Sequence, residues 1–166
     1  MRRRLSISAG ALVVVVLSYL GLVIAPASAA SPHFISASAT ISPTGALVCS
    51  FKEAGLGNTV TSTRISCSAD ASAVYFCLNN GGQNPDAANK RTISGPLVSA
   101  GDFPVRNGQT TGSLSVGPLG PGSFTCPSGQ TRTLSSVSYT NITLTGQAGD
   151  TATVPGSLSK VFVVIP

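Results

Sequence analysis

In Ala-Leu-Val-Cys-Ser-Phe-Lys-Glu (46–53), every second residue belongs to one apolar set: Leu47, Cys49 and Phe51. The same period returns in Val-Thr-Ser-Thr-Arg-Ile-Ser-Cys-Ser-Ala (60–69), where Ile65, Cys67 and Ala69 share a side. A period of two is the mark of a strand with one face buried, and no stretch beyond residue 30 keeps the 3.6-residue spacing of an amphipathic helix. Gly, Pro, Asn and Asp punctuate the alternating segments. Strands are expected at 34–42, 46–53, 59–69, 73–78, 91–100, 110–116, 131–145 and 160–165, with a further short piece at 124–126. About eight short strands at this spacing predict an all-β fold. The architecture expected is an antiparallel β-sandwich, immunoglobulin-like or a related Greek key.

The first 29 residues read differently. Arg2, Arg3 and Arg4 precede an apolar run from Ala9 to Ala25, which Pro26 ends, and Ala27-Ser28-Ala29 supplies the small-x-small pattern of a signal-peptidase site. This is the form of a secretory signal peptide. An uncleaved anchor is the alternative, because such a run reaches the lower edge of a membrane span. The paired arginines hint at twin-arginine export, whereas the strongly apolar run favours the general secretory route. No cysteine stands at the cleavage site, so a lipoprotein is not expected, nor is a C-terminal anchor. Cleavage after Ala29 removes 29 of 166 residues and leaves 137 as a single β-sandwich domain, 30–166, secreted or associated with the cell envelope.

The formal charge of +5 overstates the exported part. Three of ten basic residues leave with the leader. Lys52, Arg64, Lys90, Arg91, Arg106, Arg132 and Lys160 remain against Glu53, Asp70, Asp86, Asp102 and Asp150. They are scattered, whereas nucleic acid requires a clustered basic face. The expected partner is an extracellular protein or envelope component, with neither nucleic acid nor, after cleavage, a membrane.

Cys49, Cys67, Cys77 and Cys126 are an even set in an exported chain, which predicts two disulfides. Without a C-x-x-C pair, and with His33 the single histidine, metal ligation is not expected. A hairpin turning at 54–58 would set Cys49 opposite Cys67 on the buried side, leaving Cys77 for Cys126. A hairpin at 69–72 would instead pair Cys67 with Cys77; the pairs favoured are Cys49–Cys67 and Cys77–Cys126.

Residues 77–90, Cys-Leu-Asn-Asn-Gly-Gly-Gln-Asn-Pro-Asp-Ala-Ala-Asn-Lys, form the most unusual stretch. Asn84 as N-cap, Pro85 at the first helical position and Lys90 at the far end suit one short capped turn over 84–89. Asn79, Asn80, Gln83, Asn84, Asp86 and Asn89 also make a rim of polar groups able to bind a sugar or peptide. One carboxylate is too few for a calcium loop. In 134–145, Val137 and Tyr139 fall on one parity and Ile142 and Leu144 on the other, so a β-bulge is expected near Thr140 or Asn141. The sequon at Asn141-Ile142-Thr143 lies inside that strand and reads as incidental. The Gly/Pro-rich segment 116–130 reads as a loop tied down at Cys126.

Catalytic patterns are missing. His33 stands beside Pro32 near the mature start, where a solvated terminal residue is expected. The acids are spread over segments that read as turns, and no G-x-S-x-G, P-loop or dinucleotide fingerprint occurs. A non-enzymatic protein without cofactors is expected. Convergence of two acids with His33 in one cleft would point the other way. Trp is absent and the aromatics fall mostly on core parities, which disfavours a stacking platform for sugars.

Phe-Lys-Glu-Ala-Gly-Leu-Gly-Asn-Thr-Val (51–60), 75–90, Gly-Ser-Phe-Thr-Cys-Pro-Ser-Gly-Gln (122–130) and 134–144 together resemble a family of small secreted actinobacterial proteins without an established activity. The resemblance spans 41–144 and implies export, a β domain and a Cys77–Cys126 bridge. A weaker likeness is to the immunoglobulin-like apoproteins of enediyne chromophores, from which the wide cysteine loops depart. It implies a small-ligand carrier. The segment 125–132 suggests a third role, the braced loop of a protease inhibitor.

Overall fold

The computed structural model describes residues 30–79 and 89–163. Its strands are β1 (His33–Ile41), β2 (Leu47–Ala54), β3 (Ser62–Asn79), β4 (Lys90–Pro104), β5 (Gln109–Val116), β6 (Gln130–Thr145), β7 (Thr151–Thr153) and β8 (Leu158–Val161). No α-helix occurs among the described residues. One antiparallel sheet has the order β1-β2-β5. The other runs β4-β3-β6-β7, with β8 also on β6. The second and fifth strands thus share one sheet, and the third and sixth share the other. This is an immunoglobulin-like Greek-key sandwich in which the fourth strand flanks the third.

The two-residue period decides which side chains meet between the sheets. On β2, Leu47, Cys49 and Phe51 point inward. On β3 it is Ile65, Cys67, Ala69, Ala71 and Ala73, and on β6 Val137, Tyr139, Ile142 and Leu144. Burying each large aliphatic contributes about 1.5–3 kcal/mol. The Phe51 ring meets Phe103 edge-on at 4.8 Å and 85°. Buried hydroxyls find main-chain acceptors: Tyr139 donates to the Gly45 carbonyl at 2.6 Å and Tyr75 to the Leu119 carbonyl at 2.7 Å.

The expected bulge is present at Asn141. Ser68 pairs with Thr143 but Asp70 pairs with Thr140, so β6 carries one extra residue there, and Asn141 takes φ of 52°. Its side-chain amide donates to Asp70 Oδ2 at 2.7 Å. The insertion returns Val137, Tyr139, Ile142 and Leu144 to one face. A second register shift falls between Val74 and Tyr75.

Several boundaries differ from those expected. The segments 59–69 and 73–78 are one continuous strand, β3, and residues 70–72 do not turn. Ala69, Ala71 and Ala73 keep the inward parity, while Asp70 and Ser72 point out. Residues 124–126 form no strand, β8 is shorter than expected, and β7 is an added short strand. Strands β2 and β3 are not a hairpin. Residues 55–61 carry the chain from one sheet to the other, with Gly55 and Gly57 at φ of 77° and 80°. A side chain at Gly55 would collide with the Ser31 carbonyl. His33 is no frayed residue: it opens β1 opposite Ala54.

The disulfides are Cys49–Cys67, with Cα atoms 6.5 Å apart, and Cys77–Cys126, at 5.5 Å. The inward parity of Cys49 and Cys67 is as read from the sequence, but the bridge spans the two sheets instead of two rungs of a hairpin. The continuity of β3 separates Cys67 from Cys77 and removes the rival pairing.

Candidate functional site

The polar rim flanks the β3–β4 connection. Asn79 ends β3 opposite Gln130, and Asn89 immediately precedes β4. Asn80, Gln83, Asn84 and Asp86, with most of the capped turn expected at 84–89, lie outside the described residues. Cys77, two residues before Asn79, is buried and bonded to Cys126.

The acids are not all on turns. Glu53 lies inside β2 on the parity of Cys49 and Phe51, and its side chain is fully buried. Asp150 follows the tight turn 146–149, closed by Gly149 N–H to the Gly146 carbonyl at 3.0 Å, and its own carbonyl accepts from Gly146 N–H at 2.8 Å. The two carboxyl groups converge over Gly146. A side chain on Gly146 would fall on Asp150 Oδ1 and within 2.6 Å of Glu53 Oε1. Burial, then the charge of Asp150 and a hydrogen bond with it, raise the Glu53 carboxyl to about 7; His33 acts in the lowering direction. All four carboxyl oxygens are sealed from solvent and find no hydrogen-bond partner outside the pair itself, and the Thr63 hydroxyl has none.

Thr63 belongs to the same place. The Cys49–Cys67 bridge sets those residues face to face across the sandwich. Two rungs further toward 55–61, Glu53 on β2 and Thr63 on β3 occupy the corresponding inward positions. The chemical signal was available in the sequence: a carboxylate on a parity otherwise occupied by Leu, Cys and Phe. Its partner Asp150 was hidden by distance along the chain. Two acids therefore meet near His33, but His33 is exposed and the acids are dry, so they do not share a cleft open to substrate. Among the described residues, no group of three or more His, Cys, Asp and Glu gathers as a metal site.

A groove of about 810 Å³ runs over this end, lined in part by Ala30, His33, Leu56, Asn58, Val60 and Asn107. A neighbouring one of about 340 Å³ reaches Thr63, Gln147 and Ala148. The space between the sheets is filled by Leu47, Phe51, Ile65, Tyr139, Ile142 and Leu144.

The outward positions have a consistent chemistry. On the five-stranded sheet, Ser94, Ser72, Ser138 and Ser159 stand in one row, and Ser68, Thr143 and Thr153 in another. Ser94 donates to Ser72 Oγ at 3.1 Å. Asp70 is engaged by Asn141, and Arg64 pairs with Asp102 at 3.2 Å near one end. The smaller sheet repeats the theme with Ser38, Ser50 and Ser113.

Fold and surface define the class: an antiparallel β-sandwich clamped by two disulfides, which suit an oxidising compartment, with hydroxyl-rich outer faces. No family model, curated protein or solved structure matches this chain. No helix of the described residues is long and apolar enough to cross a membrane.

Proposed function

We propose that this chain is exported by its first 29 residues, cleaved after Ala29, and acts without catalysis as a binding or structural module outside the cell or at its envelope. The carrying observation is the outer face of the five-stranded sheet, rich in Ser and Thr with Arg64, Asp102 and Asp70 as its charges and Val98 and Val161 exposed among the hydroxyls, over a filled, doubly cross-linked core. Rows of Ser and Thr about 4.8 Å apart offer donors and acceptors to a neutral hydroxyl- or amide-bearing surface and repel no charge. The motif resemblance to secreted actinobacterial proteins supports the same location. The filled space between the sheets argues against a small-ligand carrier. The sealing of Glu53 and Asp150 from solvent argues against hydrolysis by that pair.

The test is co-sedimentation of mature protein, residues 30–166, with the envelope fraction of the exporting cells. Ser72→Lys with Ser138→Lys should abolish pelleting, while Ser50→Lys with Ser113→Lys on the opposite sheet should not. Absence of pelleting, or equal loss from both faces, overturns the reading. A protease-inhibitor role has one supporting feature: the turn 127–130, closed by Gln130 N–H to the Pro127 carbonyl at 3.2 Å, adjoins the Cys77–Cys126 bridge. Undiminished serine-protease activity with micromolar protein removes it.

A further inference from the structure

Five buried side-chain oxygens lie at the Gly55 end of the sandwich with no partner beyond one another: both of Glu53, both of Asp150 and the hydroxyl of Thr63. Thr63 is only 2% exposed and Glu53 not at all. A dry carboxylate pair with no N–H donor is costly, because removal from water is compensated only by a counter-charge or bound protons. Here the donors come from three separated places: β2, β3 and the turn before β7. They meet where Gly146 alone leaves room, since a side chain at that position would overlap both carboxyl groups. Thr63, at the corresponding inward position of the opposite sheet, adds a buried neutral oxygen whose lack of a partner repulsion between acids does not explain.

We propose that Glu53, Asp150 and Thr63 hold a calcium ion that ties β2, β3 and the 146–150 turn together. The donor set is oxygen only, which suits a hard cation and disfavours zinc. Two bidentate carboxylates and a hydroxyl supply five of the six to eight oxygens calcium takes, and one water or main-chain carbonyl completes the shell. A groove lined by Thr63, Gln147 and Ala148 lies beside one of the three donor residues. Extracellular modules bind calcium with dissociation constants of about 10⁻⁴–10⁻³ M, which matches the compartment inferred above.

The experiment uses oxidised mature protein in EDTA, 10 mM calcium chloride or 10 mM magnesium chloride, with thermal unfolding and isothermal calorimetry. Calcium should raise the folding equilibrium constant about 10- to 100-fold, and magnesium much less. Glu53→Gln and Asp150→Asn should each abolish the response, Thr63→Val should weaken it, and Asp102→Asn at the exposed ion pair should leave it intact. Should the carboxyl variants fail to fold, calorimetry on the unmodified protein decides: one site per chain supports the proposal, and no heat overturns it. A calcium response retained by both Glu53→Gln and Asp150→Asn overturns it too. So does stability indifferent to calcium in the unmodified protein, which would assign the pair to proton sharing.

Discussion

Removing the two disulfides separately should cancel the difference that loop length alone dictates. The bridges close separations of 18 and 49 residues. Restriction of the unfolded chain makes these worth about 3 and about 4 kcal/mol respectively. Packing then enters. Cys49 and Cys67 are both fully buried between Phe51, Ile65 and Leu144, so Cys49→Ala with Cys67→Ala also empties two methyl-sized volumes. At about 1 kcal/mol each, the total approaches 5 kcal/mol. Cys77 is equally buried but Cys126 lies in a connection and is only half-buried, so Cys77→Ala with Cys126→Ala empties one such volume beside its entropic 4 kcal/mol and also comes to about 5 kcal/mol. Urea denaturation followed by far-ultraviolet circular dichroism measures both. The slope should steepen in each variant because the uncross-linked unfolded chain exposes more surface. A loss for the Cys49/Cys67 variant smaller than for the other by the full entropic gap of about 1 kcal/mol would refute the packing described between the sheets at that rung.

Tyr139→Phe should cost about 1–3 kcal/mol in urea denaturation, since the Gly45 carbonyl loses a buried donor at 2.6 Å. Burial raises the hydroxyls of Tyr139 and Tyr75 above their ordinary value of 10. The folded state therefore binds these protons more tightly than the unfolded state, and this contribution is intact below pH 10 and lost as pH climbs past it. Absorbance at 295 nm should show both ionising above the free-tyrosine range and together with unfolding. Gly112→Ala should destabilise by about 1–3 kcal/mol, because the new methyl would lie 2.5 Å from Phe103 and 3.1 Å from Phe51. Asn141→Ala should lower the melting temperature more than Asn141→Gly, which keeps the positive φ accessible while losing the same bond to Asp70.

Much of the sandwich could be read from period-two alternation, because the buried face of a strand leaves a direct trace in residue order. The inward parity of Cys49 and Cys67 and the extra residue at Asn141 are both consequences of that trace. The trace says nothing about which sheet a strand joins, which is why β2 and β3 looked like a hairpin. It also weakens where core residues are small. Ala69, Ala71 and Ala73 give little contrast against Asp70 and Ser72, so a strand interior resembled a turn. Alanine suffices there because the facing space is filled from β6 and β2 by Tyr139 and Leu47. Glu53 escaped notice as a core residue because carboxylates belong inside only when something neutralises them. The turn that brings Asp150 to it is a long-range event.

The last strand of the larger sheet is broken in two. Val154, Pro155, Gly156 and Ser157 separate β7 from β8, with Gly156 at φ of 84°. Where one long ribbon would present an unbroken ladder of amide groups to a neighbouring molecule, this border is short, kinked and carries a proline that cannot donate. The interruption hinders stacking of copies along that side.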